Sequence, residues 1–195
     1  MTNLTTLLSF HINPSDPQIH AVPAAVLVQI LENAQRAFEL IGVQVEGREI
    51  RERARVSAAT AKRFQLICHV PEAGSYAMPV TLGAGDDLLV LQLAEKAVTI
   101  FKDVMGLVSS RNSGGLVGLI PDQRIRRRVL ESVKGMAPRS DSEWTLDFHD
   151  NQNALFATFN TDTIPFVEET LVPAEQREAS RVVTGELTSI DFAAR

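Results

Sequence analysis

Two apolar stripes at helical spacing are separated by a segment whose hydrophobic period drops to two, and this switch restricts the chain to a mixed α+β fold. In the first stripe Leu27, Ile30, Leu31, Ala34, Phe38 and Ile41 recur at three- and four-residue intervals. Gln29, Glu32, Asn33, Arg36 and Glu39 fall on the opposite face. Pro23 stands at the entrance, where a missing N–H costs nothing, and Gly42 marks the expected exit. The second stripe, Val90, Ala94, Ala97, Phe101, Val104, Met105 and Val108, is widened by Leu93, Ile100 and Leu107. So wide a stripe predicts a helix buried on more than one side. Asp86-Asp87 place negative charge at its start, which suits the helix dipole.

Between these helices Phe64, Leu66, Cys68 and Val70 alternate with Arg63, Gln65, Ile67 and His69. After Pro71–Ser75 the alternation resumes at Tyr76, Met78, Val80 and Leu82, which predicts a β-hairpin. Pro79 cannot donate a ladder hydrogen bond, so its strand is expected at a sheet edge or to end there. Leu7, Leu8, Phe10 and Ile12 predict a first strand, stopped by Asn13-Pro14-Ser15-Asp16-Pro17. A second hairpin runs through Trp144, Leu146 and Phe148, turns at Asp150–Asn153 and returns through Leu155, Ala157 and Phe159. A short helix is expected from Thr163 to Leu171. Val183, Gly185, Leu187, Ile190 and Phe192 read as a terminal strand with a bulge near Ser189, whose open edge would favour association. The expected fold is α+β: two to three helices packed on a small antiparallel sheet, followed by a β-rich C-terminal unit. A soft boundary at Pro138–Asp141 divides it into residues 1–138 and 139–195.

The chain has 195 residues, 45% of them hydrophobic, enough for a conventional core without disulfides or metals. Its net charge of -5 argues against bulk adhesion to nucleic acid or anionic membrane. Cys68 is the only cysteine, so neither an intrachain disulfide nor a cysteine-based zinc site can form. The N-terminus lacks the charged and apolar regions of a secretion signal. The long apolar segment 88–108 is broken by Glu95, Lys96, Lys102 and Asp103, unlike a membrane span. A soluble, cytoplasmic protein with no membrane contact is the expectation.

Arg124, Arg126, Arg127 and Arg128 crowd the start of a predicted third helix that follows Pro121-Asp122 and closes near Gly135. Positive charge is unfavourable there, because the free N–H groups of a helix N-terminus already carry positive potential. Carboxylates, water or a bound anion must offset the cost. Arg111, in the loop Ser109–Gly115, could join the cluster on one anion or acidic partner. A plainer account is a solvated basic face over the stripe Ile125, Val129, Val133 and Met136. Pairs with Glu131 would then contribute about 0.2–0.5 kcal/mol each.

No motif assigns catalysis. His11, Asp16 and His20 surround the proline-rich loop and form the one polar cluster worth testing. His69 and His149 fall on polar hairpin faces, as ordinary surface histidines do. Cys68 lies on an apolar face, which predicts a buried, unreactive thiol. Gly74-Ser75-Tyr76 is not a nucleophile elbow, and the loop Ser110–Gly115 lacks both the ending of a Walker A loop and the spacing of a dinucleotide fingerprint. The sequence therefore gives no catalytic residue, metal ligand or cofactor. The leading reading is a non-catalytic interaction protein in a protein complex or homo-oligomer. The alternatives are a nucleic-acid or nucleotide binder using Arg111 and the Arg124–Arg128 cluster, and a hydrolase with dispersed polar residues.

The order strand, histidine-bearing loop, helix, then the hairpin carrying Phe64-Gln65-Leu66 and Gly74-Ser75-Tyr76, resembles an uncharacterised group of bacterial α+β proteins. The segment Val182-Val183-Thr184-Gly185-Glu186-Leu187-Thr188-Ser189-Ile190-Asp191 is similar to the β unit that ends that group. The resemblance implies a bacterial setting and carries no activity. The group's β unit extends beyond the end of this chain, so the resemblance implies a short or truncated member.

Overall fold

Strand β1 (Leu8–Pro14) lies at the centre of a five-stranded antiparallel sheet. The computed structural model describes residues 8–16, 22–50, 55–69, 77–83 and 88–172. After β1 come α1 (Ala24–Val45), α2 (Ala58–Arg63), β2 (Leu66–Cys68), β3 (Ala77–Leu82) and α3 (Leu88–Ser109). The chain continues with α4 (Ser113–Leu119), α5 (Gln123–Met136), β4 (Trp144–Asp150), β5 (Leu155–Phe159) and α6 (Thr163–Leu171). The strand order is β2-β3-β1-β4-β5, so both predicted hairpins form and β1 joins them. The register sets Phe10 opposite Met78 on one side and Phe148 on the other.

Alternation along the strands gives the sheet two different faces. Leu8, Phe10, Ile12, Val80, Leu146, Phe148 and Phe159 are buried on one. Helices α1 and α3 close over it: Phe38 and Phe101 stack at 4.3 Å, and Phe101 lies 6.3 Å from Phe10. Helix α5 packs on α1, and α6 packs on α5 and α3. Helix α3 is therefore enclosed on several sides, as its wide stripe predicts. It also meets the outer edge of the sheet, where Ser109 Oγ donates to Thr158 O and accepts from Thr158 N. Those contacts occupy backbone groups that an open edge strand leaves unpaired.

The end of α1 is a Schellman turn. Gly47 takes φ +65, its N–H donates to Gln44 O, and Arg48 N–H donates to Val43 O. Beside it Glu46, whose side chain is only 4% exposed, accepts from Arg48 Nε at 3.1 Å, from Thr60 Oγ1 at 2.8 Å and from Arg63. This buried carboxylate ties α1 to α2. Helix α1 also closes two other helices: Gln29 Nε2 donates to Gly135 O and Gln44 Nε2 donates to Leu119 O. Both amides satisfy carbonyls that a helix C-terminus leaves without partners.

Several expectations need correction. Six helices form among the described residues, against the two or three expected. Two of the extra ones are short and side-chain capped: Ser57 opens α2, and Asn112 opens α4 by accepting from Gly115 N. The glycines at 114, 115 and 118 hide that second helix from propensity reasoning. Helix α1 runs through Gly42, which is buried in close contact with Phe64. Pro79 lies in an interior strand, between β2 and β1. Its carbonyl accepts from His69 N just beyond the end of β2, so the missing N–H faces a partner strand that has stopped. Cys68 is exposed instead of buried, because β2 is a three-residue edge strand. Partial shielding still pushes its thiol pKa up, which keeps it in the weakly nucleophilic neutral form.

Strands β4 and β5, which follow the expected boundary at Pro138, belong to the same sheet as β1. The expected terminal strand, His20, Asp86-Asp87 and the Gly74-Ser75 turn lie outside the described residues. Among the described residues no helix is long and apolar enough to cross a membrane.

Candidate functional site

The arginine helix resolves its own electrostatic conflict. Asp122 caps α5, its Oδ1 accepting from Arg124 N at 2.8 Å and Ile125 N at 3.0 Å. Arg126 Nη1 donates to Ile120 O at 2.6 Å and Pro121 O at 3.1 Å. Ile120 is the C-cap of α4, so this guanidinium sits at the negative end of the preceding helix. One member of the cluster thus serves the α4–α5 junction.

The other arginines diverge. Arg124 is exposed. Arg127 Nε lies 3.3 Å from Glu131 Oε1, and both side chains are largely exposed. Such a pair contributes little and exchanges readily with solvent or a partner. Arg128 is half-buried beside α1. Burial and then the neighbouring Arg36 guanidinium lower its pKa, against the opposing pull of Glu131. Arg111 adopts φ 57 and pairs with Asp162 at 2.8 Å, across the start of α6. It therefore engages α6 and not the α5 cluster.

A groove of about 340 Å³ opens between α4, α5 and α6. Leu116, Leu130 and Leu171 line it, with Arg126 and Arg127 on the α5 side. Val117 and Val172 complete its walls and are 54% and 40% exposed. Among the described residues no carboxylate lines it.

The outer face of the sheet holds a second polar group. Ser9 Oγ and His11 Nε2 are 2.9 Å apart. The His11 ring stacks on His149 at 4.1 Å with an interplanar angle of 24°. Asp147, opposite His11 across the β1–β4 ladder, accepts from Asn13 Nδ2 and Thr158 Oγ1, each at 2.7 Å. His149 Nδ1 lies 3.1 Å from Asn153 O; a carbonyl can only accept, so Nδ1 carries a proton in this contact. His69 Nε2 contacts Thr81 Oγ1 at 3.0 Å. Asp16 is exposed two residues beyond β1. The sequence gives no warning that His149 and Asp147 gather around His11, because that set depends on a strand register between distant segments. Only the polar side of the β4 alternation hints at it. Among the described residues no group of three or more histidine, cysteine, aspartate or glutamate side chains is arranged to hold a metal ion.

Burial, and then His149, lower the pKa of His11 from its usual 6.5, while Asp147 raises it. The folded protein therefore takes up this proton less readily than the unfolded chain. Stability from this group is complete above pH 6.5 and is lost as the pH falls through the folded pKa. His149→Ala removes one of the two lowering influences and opens the other side of the ring to water. It should raise the His11 pKa toward 6.5 and flatten the acid loss of stability. Imidazole NMR titration measures this directly; an unchanged His11 pKa would disprove the coupling.

Comparison of the chain with protein-family models, curated proteins and solved structures finds no match.

Proposed function

We propose that this is a non-catalytic interaction protein, acting in a protein complex or homo-oligomer and recognising an acidic partner through the exposed guanidinium surface of α5. The observation that carries the reading is the placement of Arg124 and Arg127, both exposed, on the first turns of α5 in a chain of net charge -5. A basic surface on an acidic protein steers complementary partners and fixes their orientation. Arginine suits this role because its planar fork binds carboxylates bidentately. The nearness of Arg36 to Arg128 favours a second reading, a nucleic-acid or nucleotide binder, since adjacent guanidiniums favour a bound anion.

Light scattering on the purified protein, together with tagged recovery from its native host after cross-linking, tests the first reading. The expected result is a stable oligomer or a stoichiometric protein partner. Arg124→Glu with Arg127→Glu should weaken that assembly by about tenfold or more and leave circular dichroism unchanged. A monomer without partners overturns the reading. Binding to single-stranded DNA or RNA that falls steeply with salt would replace it with the second.

A further inference from the structure

We infer that the groove between α4, α5 and α6 docks an acidic, amphipathic segment of a partner protein, with large apolar side chains packing against Val117, Leu171 and Val172 and carboxylates meeting Arg126 and Arg127. The inference rests on the reading of the protein as an interaction module and adds where the partner binds and with what chemistry.

Three observations converge on this groove. Its volume, about 340 Å³, accommodates inserted side chains. Val117 and Val172, on its α4 and α6 walls, are two of the few large apolar side chains exposed on the described surface. Exposed apolar side chains that share one concave site mark interaction surfaces more often than scattered ones do. The third observation is charge: among the described residues the lining has two guanidiniums and no carboxylate. Among the described residues Arg126 holds the Ile120 and Pro121 carbonyls through Nη1 alone, so its other N–H donors remain for a ligand. Arg127 is held by one exposed contact to Glu131, which an incoming carboxylate can displace.

The same lining disfavours nucleic acid. Single-stranded binders stack bases on aromatic side chains, and among the described residues no aromatic side chain lines this groove. An amphipathic helix or strand matches both halves of the surface, with apolar anchors in the groove and acidic residues at its arginine side.

The test uses the full chain and a fluorescein-labelled peptide about three helical turns long, carrying leucine and glutamate on adjoining faces. Fluorescence anisotropy should show saturable binding. Replacing the leucines by serine, or the glutamates by glutamine, should each weaken it by about tenfold. Val117→Asp should weaken it by a similar factor; because Val117 is exposed, thermal unfolding should stay near that of the parent. Absence of saturable binding, equal binding of the serine peptide, or parent-like affinity of Val117→Asp would each overturn the inference. So would tighter binding of a single-stranded oligonucleotide at the same site, or a homodimer that Val117→Asp dissociates, which would assign the groove to a second copy. If Val117→Asp leaves the cellular complex intact while Arg124→Glu/Arg127→Glu breaks it, the groove assignment fails and the interaction reading stands. If neither variant affects the complex, both fail.

Discussion

Phe148→Ala should destabilise the fold by about 3–5 kcal/mol, a large fraction of the roughly 5–15 kcal/mol that holds a domain folded. Phe148 is fully buried in β4, beside the central strand. Its ring meets Phe10 at 5.4 Å and Phe159 at 4.8 Å, both edge-on, and lies 6.2 Å from Phe101 and 6.1 Å from Phe156. Each favourable aromatic pair adds about 0.5–1.5 kcal/mol beyond the area buried. The ring also joins three parts of the fold: β1, β5 and helix α3. Its removal leaves a cavity that the sheet cannot close without shifting β4 against β1. Trp144, half-buried at the start of β4, is the only tryptophan and offers a direct fluorescence probe of unfolding in urea. Leu155→Ala is the matching control: this side chain is 56% exposed, so its loss should change stability by less than about 0.5 kcal/mol. Equal midpoints for the two variants would refute this account of the core.

Gly42→Ala should also destabilise, although alanine is worth about 0.8–1.0 kcal/mol more than glycine within a helix. A Cβ at position 42 would lie 2.2 Å from Phe64 Cδ2 and 2.6 Å from Phe64 Cε2. Phe64 cannot simply step aside. It is fully buried at the C-cap of α2, and Gln35 bridges it to the next strand, donating to Phe64 O and accepting from Leu66 N. Overpacking of this kind costs about 1–3 kcal/mol and sometimes more, which outweighs the gain in propensity. The expected net loss is therefore about 1–2 kcal/mol. A smaller side chain at 64 should relieve the clash. Gly42→Ala combined with Phe64→Leu should then be more stable than the sum of the two single changes predicts, with a coupling of about 0.5–3 kcal/mol. Strict additivity, or a stabilising Gly42→Ala, would show that the helix and the ring do not meet as described.

These two positions also show why parts of the chain are readable and others are not. Phe148 is legible in advance, since Trp144, Leu146 and Phe148 alternate with polar neighbours and any sheet buries one side of such a strand. Gly42 is misleading: its composition signals the end of a helix, while its function is to admit the ring of a residue 22 positions later. The candidate surfaces divide in the same way. The density of arginines at 124–128 is plain in the sequence. Their separate fates are not: one caps the α4 junction, one makes an exposed intrahelical pair and one faces Arg36. Likewise Asn13 and Asp147 are hydrogen-bonded partners 134 residues apart, and no local pattern announces that contact.

Periodicity alone determined that α1, α3, α5 and both hairpins would form, because burial acts on one face of each element and leaves its period in the residues. The tertiary structure decided that β1 would be the central strand, that Pro79 would lie inside the sheet, that His11 would stack on His149, and that α4, α5 and α6 would enclose a basic, apolar groove. Those outcomes depend on which faces meet across long stretches of chain. That choice comes from the packing of the whole molecule, where shape and charge are matched between segments that share no local signal.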